Sequence, residues 1–294
     1  MPEKVNHCPL CGSERQRTFA KVDFREHTVT NQICRSCGFV FQSPRMTSGE
    51  LDAFYAREYR QVYQGSEGPT LKDLAIQKGR AATLLAFVQD EVPSFDRYLD
   101  VGCSAGILLK TFQDHFACQA VGVEPGEVYR IFAETQGFQV YREIDELGAD
   151  GVKPFDLVSM AHVLEHIPDP VAYLTHLREK YLKPGGYLLI EVPNLYFHDS
   201  FEIAHMSSFS GHTLQQTIQK AGFTITAEMK HGKPRSRLLP LYVTVLASAS
   251  PNPADLEAEP EKGVRLKRRL GFFVRRILLR VFPNSAWEPI KIGE

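Results

Sequence analysis

The sequence predicts an α/β fold: a doubly wound, mostly parallel sheet with a small cysteine-rich module before it and a basic amphipathic helix after it. Three observations carry this prediction. Strand-length apolar runs alternate five times with helical patterns between Tyr98 and Val192. The first run closes in Asp100-Val-Gly102-Cys-Ser-Ala-Gly106 and passes at once into Ile107-Leu-Leu, a strand, a glycine turn and a helix start. Two Cys-x-x-Cys-Gly pairs precede it all.

A chain of 294 residues has room for one α/β domain of about 200 residues plus smaller pieces. Its apolar share of 43% suits a globular chain, and no apolar run approaches the roughly 20 residues that span a bilayer. The polar N-terminus has no signal-peptide core, so a cytoplasmic location is expected. Eight basic and no acidic residues lie between Lys262 and Arg280; with a whole-chain charge of −1, the rest carries −9. An acidic body is a poor match for phosphate backbones, so no nucleic-acid partner is expected.

Residues 1–46 read as a zinc ribbon. Cys8, Cys11, Cys34 and Cys37 form two matched pairs with 22 residues between them, the spacing of a four-thiolate tetrahedral site. The β-like runs Arg17–Asp23 and Val29–Ile33 lie between the pairs. Such a metal would be structural, since four thiolates leave no open coordination position; zinc is expected, with iron the alternative.

Residues 47–95 form a helical lead-in and lid, with Tyr59 and Tyr63 in a glycine-punctuated segment that borders a ligand pocket or merely anchors a loop. The sheet domain spans 96–248. Its second strand, Gln119–Val123, ends in Glu124-Pro125, where a carboxylate can accept hydrogen bonds from ribose hydroxyls. Asp145-Glu146 follows the third strand, read as a solvated loop, with a place near an adenine edge as the alternative. The fourth strand, Phe155–Ala161, runs into His162-Val-Leu-Glu-His166, and a helix ends at Lys183-Pro-Gly-Gly186 before the fifth. Asp100, Gly102, Glu124 and His162 all fall at carboxyl ends of strands, where the ligand of such a sheet binds. Residues 249–262 read as a solvated linker.

Together, Leu99–Gly106, Gly122-Val-Glu-Pro125, Phe155-Asp-Leu-Val, His162–His166, Leu182–Gly186 and Ala221-Gly-Phe223 resemble class I S-adenosylmethionine-dependent methyltransferases. The cysteine-rich start is similar to that of sugar methyltransferases of glycan and nucleotide-sugar pathways. The resemblance implies a seven-stranded sheet with its last strand antiparallel. It implies Gly102 and Gly106 against the cofactor's amino-acid part and Glu124 on its ribose; Asp100, Cys103, Ser104, Pro125, His162 and Tyr59 are the further cofactor-binding candidates. Sugar C-methyltransferases carry a Glu-His pair where this chain has Ala204-His205. The reading is therefore O-methylation of a sugar or glycan hydroxyl, with His205 as the base and His162 or His166 as alternatives. Runners-up are C-methylation of a nucleotide-linked keto sugar, a zinc-ribbon RNA methyltransferase and a non-catalytic binding module. Glu165-His166 with His162 also resembles the divalent-metal ligands of some methyltransferases of this fold.

In the tail, 263–294, Leu266, Leu270, Phe273, Val274, Ile277, Leu278 and Val281 recur at helical spacing among arginines. Three outcomes fit: peripheral contact with the inner face of the membrane, docking to a partner, or packing on the body.

Overall fold

The computed structural model describes residues 2–25, 27–57, 68–92, 94–149, 151–250 and 256–290. Tyr59 and Tyr63 lie outside them. The N-terminal strands are β1 (Gln16–Phe24), β2 (His27–Cys34) and β3 (Val40–Gln42). The sheet domain supplies β4 (Arg97–Val101), β5 (Gln119–Val123), β6 (Gln139–Tyr141), β7 (Phe155–Ala161), β8 (Leu182–Pro193), β10 (Phe223–His231) and β11 (Tyr242–Ala249).

These seven form one sheet in the order β10-β11-β8-β7-β4-β5-β6. Neighbours from β8 to β6 run parallel, and β11 is antiparallel to both β8 and β10. This is the predicted doubly wound sheet. Its strands read as near-continuous apolar runs because both faces are covered. One face buries Leu99, Val121, Val158, Leu188, Ile190 and Val243, and the other buries Tyr98, Leu157, Leu189 and Leu246. From β4 the chain moves to β5 and β6 on one side and later to β7 and β8 on the other. A crevice opens above the carboxyl ends at that switch point.

The two lead-in helices begin where side chains can satisfy their first amides. Helix α1 (Ser48–Arg57) opens the lead-in, and α2 (Leu71–Val88) starts with a capping box between Thr70 and Asp73. Ala81, Leu84 and Val88 of α2 pack on Leu108, Leu109 and Phe112 of α3 (Ile107–Phe116). Helix α4 (Glu127–Thr135) follows β5.

Three segments differ from expectation. Asp145 and Glu146 belong to a short helix, α5 (Ile144–Ala149), not a loop. Leu147 is buried in the core and Glu146 accepts the Arg142 amide at 2.9 Å, which holds the helical turn while both carboxylates stay exposed. After α6 (Pro170–Lys180), Lys183-Pro-Gly-Gly186 opens β8, with a register shift against β7 absorbing the irregular residues. The end of the supposed linker is pinned. Glu261 donates its amide to the Cys37 carbonyl at 3.0 Å, and its carboxylate accepts from Tyr196, from Ser210 at the cap of α7 (Gly211–Lys220), and from Lys267.

The cysteine-rich module is not a detached bead. Its sheet has the order β1-β2-β3-β9, and β9 (Ser207–Ser208) comes from the chain between β8 and α7. Phe39 and Phe41 pack with Phe209 in the same apolar core as Cys34 and Cys37.

Candidate active site

The crevice is a cleft of about 650 Å³, sized for a nucleoside-bearing ligand. Asp100, Gly102, Cys103, Ser104, Glu124, Pro125 and His162 line it. Gly106 stands behind the turn, at the start of α3 and packed against Ala133 and Phe138. Gly102 has φ +75°, and a Cβ there would collide with the Val163 side chain, so only glycine fits. Its amide and that of Cys103 both donate to the Val123 carbonyl, which ties the turn to β5. Glu124 braces the same turn from the other side: one carboxylate oxygen accepts the Ser104 amide at 2.9 Å, the other the Gly126 amide at 2.9 Å.

Asp100 is buried at the end of β4 and accepts Ser159 Oγ at 2.5 Å. Burial, with Glu124 adding to it, pushes its pKa up to about 7. A cationic ligand in the cleft favours the ionised form. Binding of such a ligand is therefore expected to release protons near neutral pH and to weaken about tenfold between pH 8 and pH 6. Calorimetry with S-adenosylmethionine in buffers of different ionisation enthalpy measures both.

The centre of the site is an ion cluster. His162 has φ +58°, a strained backbone for a side-chain-bearing residue, and its amide donates to the Glu191 carbonyl at 2.8 Å. That bend aims the imidazole between two buried carboxylates, with Nδ1 3.4 Å from Glu165 and Nε2 3.2 Å from Glu191. Burial and Arg80 oppose charge on the ring, but the two carboxylates outweigh them and hold His162 above the usual histidine range. Glu191, fully buried, also meets Arg80 Nε at 2.9 Å and His231 Nε2 at 3.0 Å, and accepts Thr244 Oγ1 at 3.3 Å. Burial pushes its pKa up, but His162, His231 and Arg80 more than reverse this and hold Glu191 well below the carboxylate range. Tyr242 lies edge-on to the His162 ring at 5.0 Å.

Behind His162 lies a second group of histidines. Burial first, then His205, takes His166 down to about 4, so its ring is neutral at pH 7 with Nδ1–H donated to Ala204 O at 3.0 Å. Burial likewise takes His198 down to about 3. His205 donates Nδ1–H to Ser200 O at 2.8 Å and stacks edge-on against His166 at 4.7 Å. His162 and His166 line the cleft; His205 sits one ring behind it. Glu165, His166 and His205 bring donor atoms within 4.8 Å of one another.

Residues missed by the sequence reading include Arg80, Gln77 and Asp73, which α2 turns into the cleft, and Glu191. Glu191 had a signal: it is a lone carboxylate in the apolar run Tyr187–Val192. Arg80 had little, because an arginine on a mixed helix is common.

The four N-terminal cysteines do converge. Cys8 and Cys37 sulfurs are 3.6 Å apart, and those of Cys11 and Cys34 are 3.5 Å apart, with all four within 4.8 Å. Tetrahedral thiolates at zinc's bond length stand roughly 3.8 Å apart, so the donor set fits that ion. Hydrogen bonding among the crowded sulfurs raises Cys8 and Cys37 and lowers Cys34 and Cys11, the last to about 7. One dication lets all four ionise.

The methyltransferase-domain family matches residues 74–228, more than half of the chain and the whole cleft apart from Leu51 and Asp73. This chain belongs to that family. It carries a methyltransferase domain of the S-adenosylmethionine-dependent type, and the cleft lies within it. Ubiquinone biosynthesis O-methyltransferases are among its relatives. That of Xylella fastidiosa is 33% identical over 162 residues, 52% of this chain and 62% of its own length. That of Xanthomonas axonopodis pv. citri is 31% identical over 159 residues, 52% of this chain and 64% of its own. The methyltransferase thus spans just under two thirds of these relatives. Among solved structures, a putative S-adenosylmethionine-dependent methyltransferase from Listeria monocytogenes is 17% identical with a TM-score of 0.47, covering 58% of this chain and 99% of its own.

Proposed function

We propose that this enzyme methylates a hydroxyl oxygen, with His162 as the base. The observation that carries the reading is the His162 imidazole at the cleft, held between the buried carboxylates of Glu165 and Glu191. When bound, S-adenosylmethionine supplies an electrophilic methyl on a sulfonium. Glu124 and the Gly102–Ser104 turn would hold it, and the acidic lining favours its positive charge. His162 takes the proton from the acceptor oxygen, and the flanking carboxylates stabilise the imidazolium that results. A hydroxyl needs no more than this, whereas a carbon acid demands a stronger base.

Two lines suggest acceptors. The four-cysteine module resembles that of sugar methyltransferases, and the relatives at 31–33% identity are named for O-methylation in ubiquinone biosynthesis. A transfer assay with deuterated S-adenosylmethionine should offer nucleotide sugars, lipid-linked glycans and catechols in parallel. Methyl on oxygen in any of them supports the proposal; methyl on carbon or nitrogen alone overturns it. His162→Asn is expected to lower kcat by about 10²- to 10⁴-fold while S-adenosylmethionine still binds. An unchanged kcat would move the base elsewhere.

One observation favours a second reading of the same chemistry. Among the described residues, the buried Glu165 carboxylate has no hydrogen-bond partner beyond its ion pair with His162, and it lies beside His166 and His205. A divalent cation there would polarise the acceptor oxygen in place of a base. Activity lost on chelation and restored by magnesium, with four-cysteine metal retained, would select that reading.

A further inference from the structure

Helix α8 (Val264–Val281) lies on the body with arginines facing inward and its apolar stripe facing out. On the inner side Arg268 donates to the Leu195 carbonyl and to the His198 carbonyl at 3.3 Å, and its guanidinium covers the Phe201 ring at 4.1 Å. Arg275 donates to the Phe197 carbonyl at 2.9 Å. Gly271 lets the helix approach this closely, because a Cβ there would strike the Tyr196 carbonyl oxygen. These cations are thus spent on backbone carbonyls.

The outer side carries Leu266, Leu270, Phe273, Val274, Ile277 and Val281, each 42–61% exposed. At 100° per residue they fall within an arc of about 100°, a continuous stripe on an 18-residue helix. Phe282 adds exposed apolar surface at the end of the helix. Lys267 edges the stripe on one side, and Arg269, Arg276 and Arg280 edge it on the other. Among the described residues none forms an ion pair with these three arginines. No acidic residue occurs from Lys262 to Arg280.

Charge decides what covers this face. Two copies packed stripe to stripe would set arginine edges against arginine edges. A bilayer with anionic headgroups satisfies both features at once, taking the apolar stripe into the acyl boundary and the guanidiniums among the phosphates. No helix among the described residues is long and apolar enough to cross a membrane, so contact would be peripheral.

We propose that the outer face of this helix docks the enzyme on an anionic lipid bilayer, lying in the plane of the headgroups. The inner face grips the segment that follows β8 and leads into the histidine cluster.

Co-sedimentation of the full chain with phosphatidylcholine–phosphatidylglycerol vesicles tests this against phosphatidylcholine alone. Binding is expected only to the anionic vesicles and to weaken with salt. The double variant Leu270→Glu/Phe273→Glu should bind about tenfold or more weakly, as should Arg269→Gln/Arg276→Gln/Arg280→Gln, with unchanged circular dichroism and cofactor affinity. Wild-type protein left in the supernatant, or equal binding by both variants, overturns the proposal. So does a concentration-dependent dimer that Leu270→Glu/Phe273→Glu splits, which would make the face an interface between copies.

Discussion

Glu191→Ala is expected to destabilise the enzyme by about 3–5 kcal/mol, because it strands Arg80, His162 and His231 in the interior with no anion to meet them. The melting temperature should fall by roughly 6–20 °C. Glu191→Gln keeps the shape and an acceptor oxygen but removes the charge, so its loss should be smaller and its kinetics informative. His162 is held above the usual histidine range by Glu165 and Glu191. Losing one carboxylate lowers that pKa and frees the base at lower pH, so the acid limb of kcat/KM moves down. The sign for stability follows. A histidine raised in the folded state contributes stability that is complete below its unfolded pKa, about 6.5, and is lost as pH rises through the folded value. The Glu191→Gln penalty should therefore be greatest at acidic pH. An unchanged melting temperature for Glu191→Ala, or an unmoved acid limb for Glu191→Gln, would remove Glu191 from this role.

Stripping metal from the four-cysteine site should unfold more than the N-terminal module. Structural zinc in small modules contributes on the order of 10 kcal/mol, since its ligands have no preformed site in the unfolded chain. Here β3 pairs with β9, Glu261 holds the Cys37 carbonyl, and Phe39 and Phe41 share the core of the sheet domain. Chelation or Cys34→Ser should thus lower the temperature of the main unfolding transition and expose the Ser207–Ser208 segment to hydrogen exchange. Elemental analysis should find one zinc per chain. One iron instead, with visible absorbance, would keep the site and change the ion. A main transition indifferent to chelation would show the module to be independent.

Much of the molecule was legible in order along the chain. The parallel strands were visible because strands covered on both faces must be apolar throughout, and their carboxyl ends could be marked by Asp100, Glu124 and His162. The paired cysteines announced their own convergence. Short-range signals failed where distant partners decide. Asp145-Glu146 read as loop, yet Leu147 and the Arg142 amide fold them into a helix whose carboxylates stay exposed. Glu261 looked like linker until Tyr196, Ser210 and Lys267 are seen to surround it.

The histidines show the division most clearly. Spacing along the chain marks His162, His166 and His205 alike as chemistry-bearing. Only the packed structure orders them: His162 is aimed into the cleft between two carboxylates, His166 is neutral at its wall, and His205 is turned to the Ser200 carbonyl behind. Sequence periodicity likewise defined an amphipathic tail without saying which face looks out. By itself the sequence determined the parallel strands, the glycine turn and the four-cysteine set, because these depend on neighbours a few positions away. The tertiary structure alone decided which buried charges meet at Glu191 and which side of the tail is left bare, because those outcomes depend on groups brought together from opposite ends of the chain.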